Sequence, residues 1–269
     1  MKPKEIIVNS IITKSNLPDS DYVINPYVGC MHSCIYCYAR FMKRFTGHEE
    51  PWGKFVDVKI NATDSIPSKT SKYKGKSIFL SSVTDPYLSF ERNYKLTRKI
   101  LEKLIPLQPN LGIQTKSDLI IRDIDLLKKF ANCEAGLTIT TTDDNIRKEL
   151  EPCSSSVNDR IEAIKKLKQA KIKTYVFIGP IMPILTDWKD IINRTKKFTD
   201  FYMFENLNIK GGVWNDIKKW LIGEHPQLLK KYEEIYFTKN DYWDIVESEI
   251  KNFCLANNID CRIYFHHSK

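Results

Sequence analysis

The sequence predicts an α/β fold, a partial (β/α)6 TIM-like barrel with a C-terminal helical extension, and three observations lead there. From residue 76 onward short apolar runs alternate with longer amphipathic segments, the rhythm of strands embedded between helices. The runs themselves do not alternate in polarity: Tyr175, Val176, Phe177 and Ile178 are apolar throughout, as parallel strands covered on both faces must be. Six such strand and helix units can be counted, which is fewer than a closed barrel of about eight requires, so the sheet is expected to stay laterally open.

Taken in order, the first strand is expected at 22–24 (Tyr22, Val23, Ile24), with its helix from 35 to about 45. The next units are a strand at 77–82 with a helix at 92–105, and a strand at 111–115 with a helix at 121–131. A strand at 135–140 is followed by a helix at 158–170, and a strand at 174–178 by a helix at 187–199. The last unit pairs a strand at 201–205 with a helix at 214–222. A helix at 242–256 and a strand at 261–265 follow, and the pattern gives that strand no place in the sheet. No repeat, low-complexity tract or Gly/Ser linker marks a boundary, so one domain over 1–269 is expected, with a core of about 20–210 and an extension of about 211–269.

Hydrophobic residues make up 42% of the 269-residue chain and aromatic residues 12%, enough for a continuous core and against a disordered protein. The amino terminus is too short and too polar in its apolar stretch for a signal peptide, and no run approaches the roughly 20 apolar residues of a membrane span. A cytoplasmic protein with no membrane partner, acting as a monomer, is therefore expected. The 42 Lys and Arg exceed the 33 Asp and Glu, leaving +9, a bias toward anionic partners.

Barrel strands present functional groups at their carboxyl ends, which selects the loops 29–37, 82–87, 115–118, 140–144, 179–183 and 205–208. The first holds Cys30, Cys34 and Cys37 after Gly29, a C-x3-C-x2-C run, while the other four of the seven cysteines are dispersed. Three thiolates on one loop suit three irons of a [4Fe-4S] cluster and leave one iron open to a substrate or cofactor. Structural zinc is the alternative, but it prefers four ligands in two pairs, and no second pair exists.

Asn25-Pro26-Tyr27-Val28-Gly29-Cys30 with Cys34-Ile35-Tyr36-Cys37-Tyr38-Ala39-Arg40 resembles the cluster loop of radical S-adenosylmethionine (SAM) enzymes, in the branch of spore photoproduct lyase and the DNA repair photolyase-like proteins. The resemblance continues through Ser82-Val83-Thr84-Asp85-Pro86-Tyr87, Thr115-Lys116-Ser117, Leu150-Glu151-Pro152 with Arg160, Gly179 to Pro183, and Glu205 to Asn208. It implies an enzyme with a [4Fe-4S] cluster on Cys30, Cys34 and Cys37 that reductively cleaves SAM to a 5'-deoxyadenosyl radical. It further implies Tyr36 near the adenine, Thr84 and Asp85 at the methionine moiety, Lys116 and Ser117 at carboxylate or ribose, and Glu151 and Arg160 in the ribose and carboxylate region. Simpler readings stand beside these: Asp85 as a turn former, Lys116 as a solvated loop lysine, Glu151 and Arg160 as a surface ion pair.

One departure matters. Where the lyase carries a hydrogen-donating cysteine this chain has Ser82, whose O–H bond is far stronger than S–H. Cys153 and Tyr87 are the replacement candidates for a catalytic donor. Lys165, Lys166, Lys168, Lys171 and Lys173 gather on one helix and its exit, either as a solvated face or as a stripe for nucleic acid. The leading expectation is radical chemistry on nucleic acid, repair or modification, with an acidic ferredoxin or flavodoxin as electron donor. A peptide or small-molecule substrate, or a non-catalytic zinc- or cluster-binding nucleic-acid module, are the alternatives.

Overall fold

Residues of alternating environment build the sheet: in the strand Asn110–Thr115 the odd positions are buried and the even positions are half-exposed. In the computed structural model, which describes residues 2–68 and 70–266, eleven strands form two sheets. They are β1 (Lys4–Ile6), β2 (Ile12–Lys14), β3 (Tyr22–Ile24), β4 (Tyr27–Gly29), β5 (Val56–Lys59), β6 (Ser77–Leu80), β7 (Asn110–Thr115), β8 (Cys133–Thr138), β9 (Lys173–Ile181), β10 (Phe201–Asn206) and β11 (Cys261–Ile263). The main sheet runs β11-β10-β9-β8-β7-β6-β3-β2, parallel except where β2 meets β3.

The six expected strands are thus present as β3 and β6 to β10. The strand without a place is also resolved: β11 pairs parallel to β10, with Tyr202 opposite Cys261, and extends the sheet by one. β2 and β11 are unpaired edges, so the barrel is open. Across that opening Tyr264 donates its hydroxyl to Asp19 Oδ2 at 2.8 Å, a side-chain latch between the two ends.

Three expected helices differ. The segment 35–45 is a 3-10 helix only over Tyr38–Phe45, because the cysteine loop occupies its first turn and Cys37 caps it in extended conformation. The segment 92–105 divides at Lys95, which sits at φ +50° between Glu91–Tyr94 and Leu96–Leu104. The segment 121–131 becomes a 3-10 helix at Asp118–Asp123 and a short α-helix at Ile124–Leu127. There buried Asp123 holds Arg98 at 2.9 Å and Arg122 at 2.7 Å, and this ionic knot takes precedence over helical periodicity. The small sheet β1-β5-β4 and the helices Asp144–Leu150 and Leu229–Phe237 had no counterpart in the expectations.

Two apolar clusters divide the interior. The larger lies between the main sheet and its helices. The smaller joins Cys34 and Tyr36 to Leu150, Met182, Val213, Leu221 and Tyr232, so the helices Val213–Glu224 and Leu229–Phe237 of the extension back the cysteine loop. The lysines of 165–173 lie toward the amino ends of the strands, opposite that loop. Lys168 pairs with Asp200, and Lys173 with Glu134 at 2.8 Å, so they form no stripe at the cysteine end. No helix among the described residues is long and apolar enough to cross a membrane.

Candidate active site

Gly29 opens the cysteine loop at φ +83°, and a Cβ there would lie 2.4 Å from the Phe55 carbonyl oxygen. Only glycine fits on both counts. Ser33, itself at φ +54°, donates from its hydroxyl to the Gly53 carbonyl (2.8 Å), with the Met31 carbonyl 3.1 Å from the same oxygen. Thr84 Oγ1 donates to Gly29 O at 2.5 Å, tying the loop to the end of β6. The Ile35 amide donates to Leu150 O at 3.0 Å, and Arg40 reaches back to Ile35 O at 2.7 Å and Cys37 O at 3.0 Å. The loop is therefore fixed by its own polar contacts before any ligand arrives.

A cavity of about 890 Å³ begins at this loop and runs down the concave face of the sheet. Cys30, Cys34, Cys37, Tyr36, Thr84, Asp85 and Lys116 line it, together with Ser82 and the backbone of Gly179 and Pro180. Glycines make room for its aromatic wall: a Cβ at Gly136 would sit 2.2 Å from the Tyr175 ring, and one at Gly179 2.3 Å from Phe177.

Asp85 is buried, with Oδ1 accepting from Thr115 Oγ1 (2.6 Å) and the Tyr87 amide (2.8 Å), and Oδ2 accepting from the Lys116 amide (2.9 Å). His32 Nε2 lies 3.0 Å from Oδ2 but off the line of a hydrogen bond, while Nδ1 is 3.1 Å from the Cys153 carbonyl. Burial would raise the Asp85 carboxyl, but His32 and these hydrogen bonds hold it at about 2. Asp85 is thus an anion that braces the loops around the cavity, and does more than form a turn.

Glu151 and Arg160 are both almost completely buried, 2.5 Å apart, and do not line the cavity. Glu151 also accepts from Tyr36, Thr140 (3.0 Å) and Ser154 (3.2 Å), and Arg160 donates to Thr138 O (2.8 Å) and Ser155 O (2.9 Å). Burial opposes ionisation of Glu151, yet Arg160 and Lys116 hold it at about 2. The pair is no surface bridge: it anchors the Tyr36 ring from below. Lys116 places its ammonium 5.6 Å from the centre of that ring, and the charges of Cys34 and Glu151 outweigh burial to raise its pKa. Ser117 faces away from the cavity and caps the 3-10 helix by accepting from the Leu119 amide at 3.3 Å.

The two donor candidates lie elsewhere. Cys153 is exposed and outside the cavity lining. Tyr87 is buried outside it, with a hydroxyl that finds no partner among the described residues and a pKa raised by burial and by Asp123 and Glu91. Ser82 does line the cavity, and its hydroxyl accepts from Asn25 Nδ2 at 3.3 Å.

Several lining residues escaped the sequence reading. Ser81 is buried at φ +70° with a hydroxyl on the cavity wall that has no partner among the described residues, a strained and unsatisfied position of the kind found at ligand sites. Tyr38 lines the mouth and donates to the Ser82 carbonyl. Gln114, Met203 and Arg262 come from strands and Tyr264 from just beyond β11, and the two-residue alternation of β7 was the one available signal.

The donor set fits an iron-sulfur cluster. All three thiols are free and line one wall, and soft thiolates suit such clusters. Among the described residues no three His, Cys, Asp or Glu side chains gather closely enough for a single metal ion. Burial raises the thiols of Cys30 and Cys34, Cys34 to about 12, so loading a metal must displace protons. The unpartnered Ser81 hydroxyl and the Lys116 ammonium on the adjoining wall suit a polar, carboxylate-bearing ligand such as SAM.

Comparison with known proteins agrees with this geometry. An uncharacterized protein of Methanocaldococcus jannaschii is 46% identical over 80% of this chain and 81% of its own length. A radical SAM Nalpha-GlyT isomerase of Pseudomonas phage M6 is 27% identical over 62% of this chain and 34% of its own. Among solved structures, spore photoproduct lyase complexed with dinucleoside spore photoproduct superposes with a TM-score of 0.71 at 15% identity, over 97% of this chain and 82% of that one. Residues 24–194 match the model of the radical SAM superfamily, and the chain belongs to that superfamily, an enzyme family that uses a [4Fe-4S] cluster and SAM.

Proposed function

We propose that this radical SAM enzyme acts on nucleic acid, and that it modifies the substrate rather than repairing it by the thiol-quenched route of the lyase. The observation that carries the reading is the cavity. It continues from the cysteines past the SAM-facing wall into a lumen walled by Phe79, Tyr175, Phe177 and Tyr264, with Gln114 and Glu205 as hydrogen-bonding edges. Flat rings and a few polar groups are what a nucleobase requires, since stacking contributes about 1–3 kcal/mol per base and the polar edges orient it. The spore photoproduct lyase structure that shares the fold holds a dinucleoside, which supports the same substrate class.

Cys30, Cys34 and Cys37 would hold the cluster, with Tyr36, Thr84 and Lys116 around the SAM. When bound, this group supplies a hydrogen-abstracting radical by one-electron cleavage of the sulfonium. The chain's own residues position the reactants. Glu151 and Arg160 fix the Tyr36 ring, Asp85 locks the ends of β6 and β7 together, and Lys116 offers a cation to a carboxylate. Ser82, with its strong O–H bond, returns no hydrogen to a carbon radical, and Cys153 lies outside the lumen; this favours modification.

The test is hydrogen transfer from deuterated oligonucleotides. Incubation of the anaerobically reconstituted enzyme with SAM and dithionite is expected to place deuterium in 5'-deoxyadenosine. Deuterium arriving only from labelled peptides or small molecules would overturn the nucleic-acid reading.

A further inference from the structure

Cys34 is shared by two concavities. It lines the cavity just described, and it also lines a separate groove of about 530 Å³ on the outer side of the loop; no other residue belongs to both. The groove is framed by Arg40 and Lys43 of the 3-10 helix, and by Trp52 and Lys54. Arg40 is neutralised by Asp216 at 2.6 Å. Lys43 donates only to the Glu49 backbone carbonyl at 2.8 Å, and Lys54 is exposed with no carboxylate paired to it among the described residues.

Arg44 follows, its guanidinium 4.6 Å from the Phe45 ring centre. Phe45 is 66% exposed and Phe41 40%. Of the acidic neighbours, Glu50 faces His48 at 3.1 Å, and the Glu49 carboxylate pairs with no cation among the described residues. The rim is therefore net positive and studded with exposed aromatic rings, a composition that suits a protein interface with an acidic partner.

Reductive cleavage of SAM consumes one electron at the cluster, and the cavity side is taken up by SAM and substrate. We propose that the outer groove docks a small acidic flavodoxin, which delivers that electron through the Cys34 side of the loop. The flavin is oxidised by one electron and the cluster is reduced by one, with no bond formed between the proteins. The proposal rests on reading the chain as a reductive SAM enzyme, and the chain's +9 surplus adds long-range attraction to an acidic carrier.

The experiment uses a Lys43→Glu/Lys54→Glu double variant and two readouts. First, oxidised flavodoxin is titrated against each protein and followed by its FMN fluorescence. Two charge reversals at an interface rim are expected to weaken its Kd by about tenfold, with the difference shrinking at high salt. Second, 5'-deoxyadenosine formation is compared with reduced flavodoxin and with dithionite. The flavodoxin-supported rate should fall by a similar factor while the dithionite-supported rate holds. An unchanged Kd overturns the proposal. So does an equal loss with both reductants, which would assign the groove to nucleic acid instead. If the unaltered protein makes no 5'-deoxyadenosine with dithionite, the functional reading fails, whereas the titration still decides the docking.

Discussion

The side chain on which most of the site depends is Glu151, which never reaches the cavity. Its carboxylate is surrounded by Tyr36, Thr140, Ser154 and Arg160, and a buried charge with every partner satisfied is stable only as a set. Glu151→Gln leaves Arg160 buried and unpaired, so urea denaturation at pH 7 should show a loss of about 3–5 kcal/mol. The carboxyl sits at about 2, below its ordinary 4.5. Its contribution is fully present above pH 4.5 and lost as pH falls toward 2. The unaltered protein should lose stability across that window, and the Gln variant should show a shallower acid slope. What was legible in the sequence is which loops border the cavity: Cys30, Cys34, Cys37, Tyr36, Thr84, Asp85 and Lys116 all line it. Ser117, Glu151 and Arg160 turn out to stand behind that wall. A single motif cannot distinguish a side chain on the cavity wall from one that fixes its neighbour.

At the level of elements, the cysteine loop is the most constrained piece of the chain. It is held by β4, β5, the end of β6, the helix Asp144–Leu150 and Arg40 of the 3-10 helix that follows it. Gly29→Ala meets both a left-handed backbone and a carbonyl oxygen at 2.4 Å, and the loop must move to accept it. After anaerobic reconstitution this variant is expected to retain much less iron than the unaltered protein, while its far-ultraviolet circular dichroism is unchanged. Equal iron content would show that the loop tolerates the shift. The small sheet was invisible in the sequence because its strands are three or four residues long, too short for a periodic signal. The helix expected at 35–45 failed for a related reason: the apolar spacing is present, but the backbone there is committed to presenting thiols.

The molecule as a whole is an open curved sheet whose extension completes the site from two sides. Helices of the extension pack behind Cys34 and Tyr36, and β11 contributes Arg262 and, just beyond it, Tyr264 to the lumen. The strand and helix alternation predicted the barrel, but it could not place β11, because parallel pairing to β10 leaves no mark in local sequence. The positive surplus is spread over the surface: the lysines of 165–173 are partly paired away from the cysteine end, and Lys43 and Lys54 beside the loop have no carboxylate paired to them among the described residues. The central claim is that Cys30, Cys34 and Cys37 and the cavity beside them form one SAM-cleaving centre. Anaerobic reconstitution followed by measurement of iron and of 5'-deoxyadenosine under dithionite tests it most directly. The account predicts about four irons per chain and 5'-deoxyadenosine formation that Cys34→Ala abolishes; one tightly bound zinc with no SAM cleavage would contradict it.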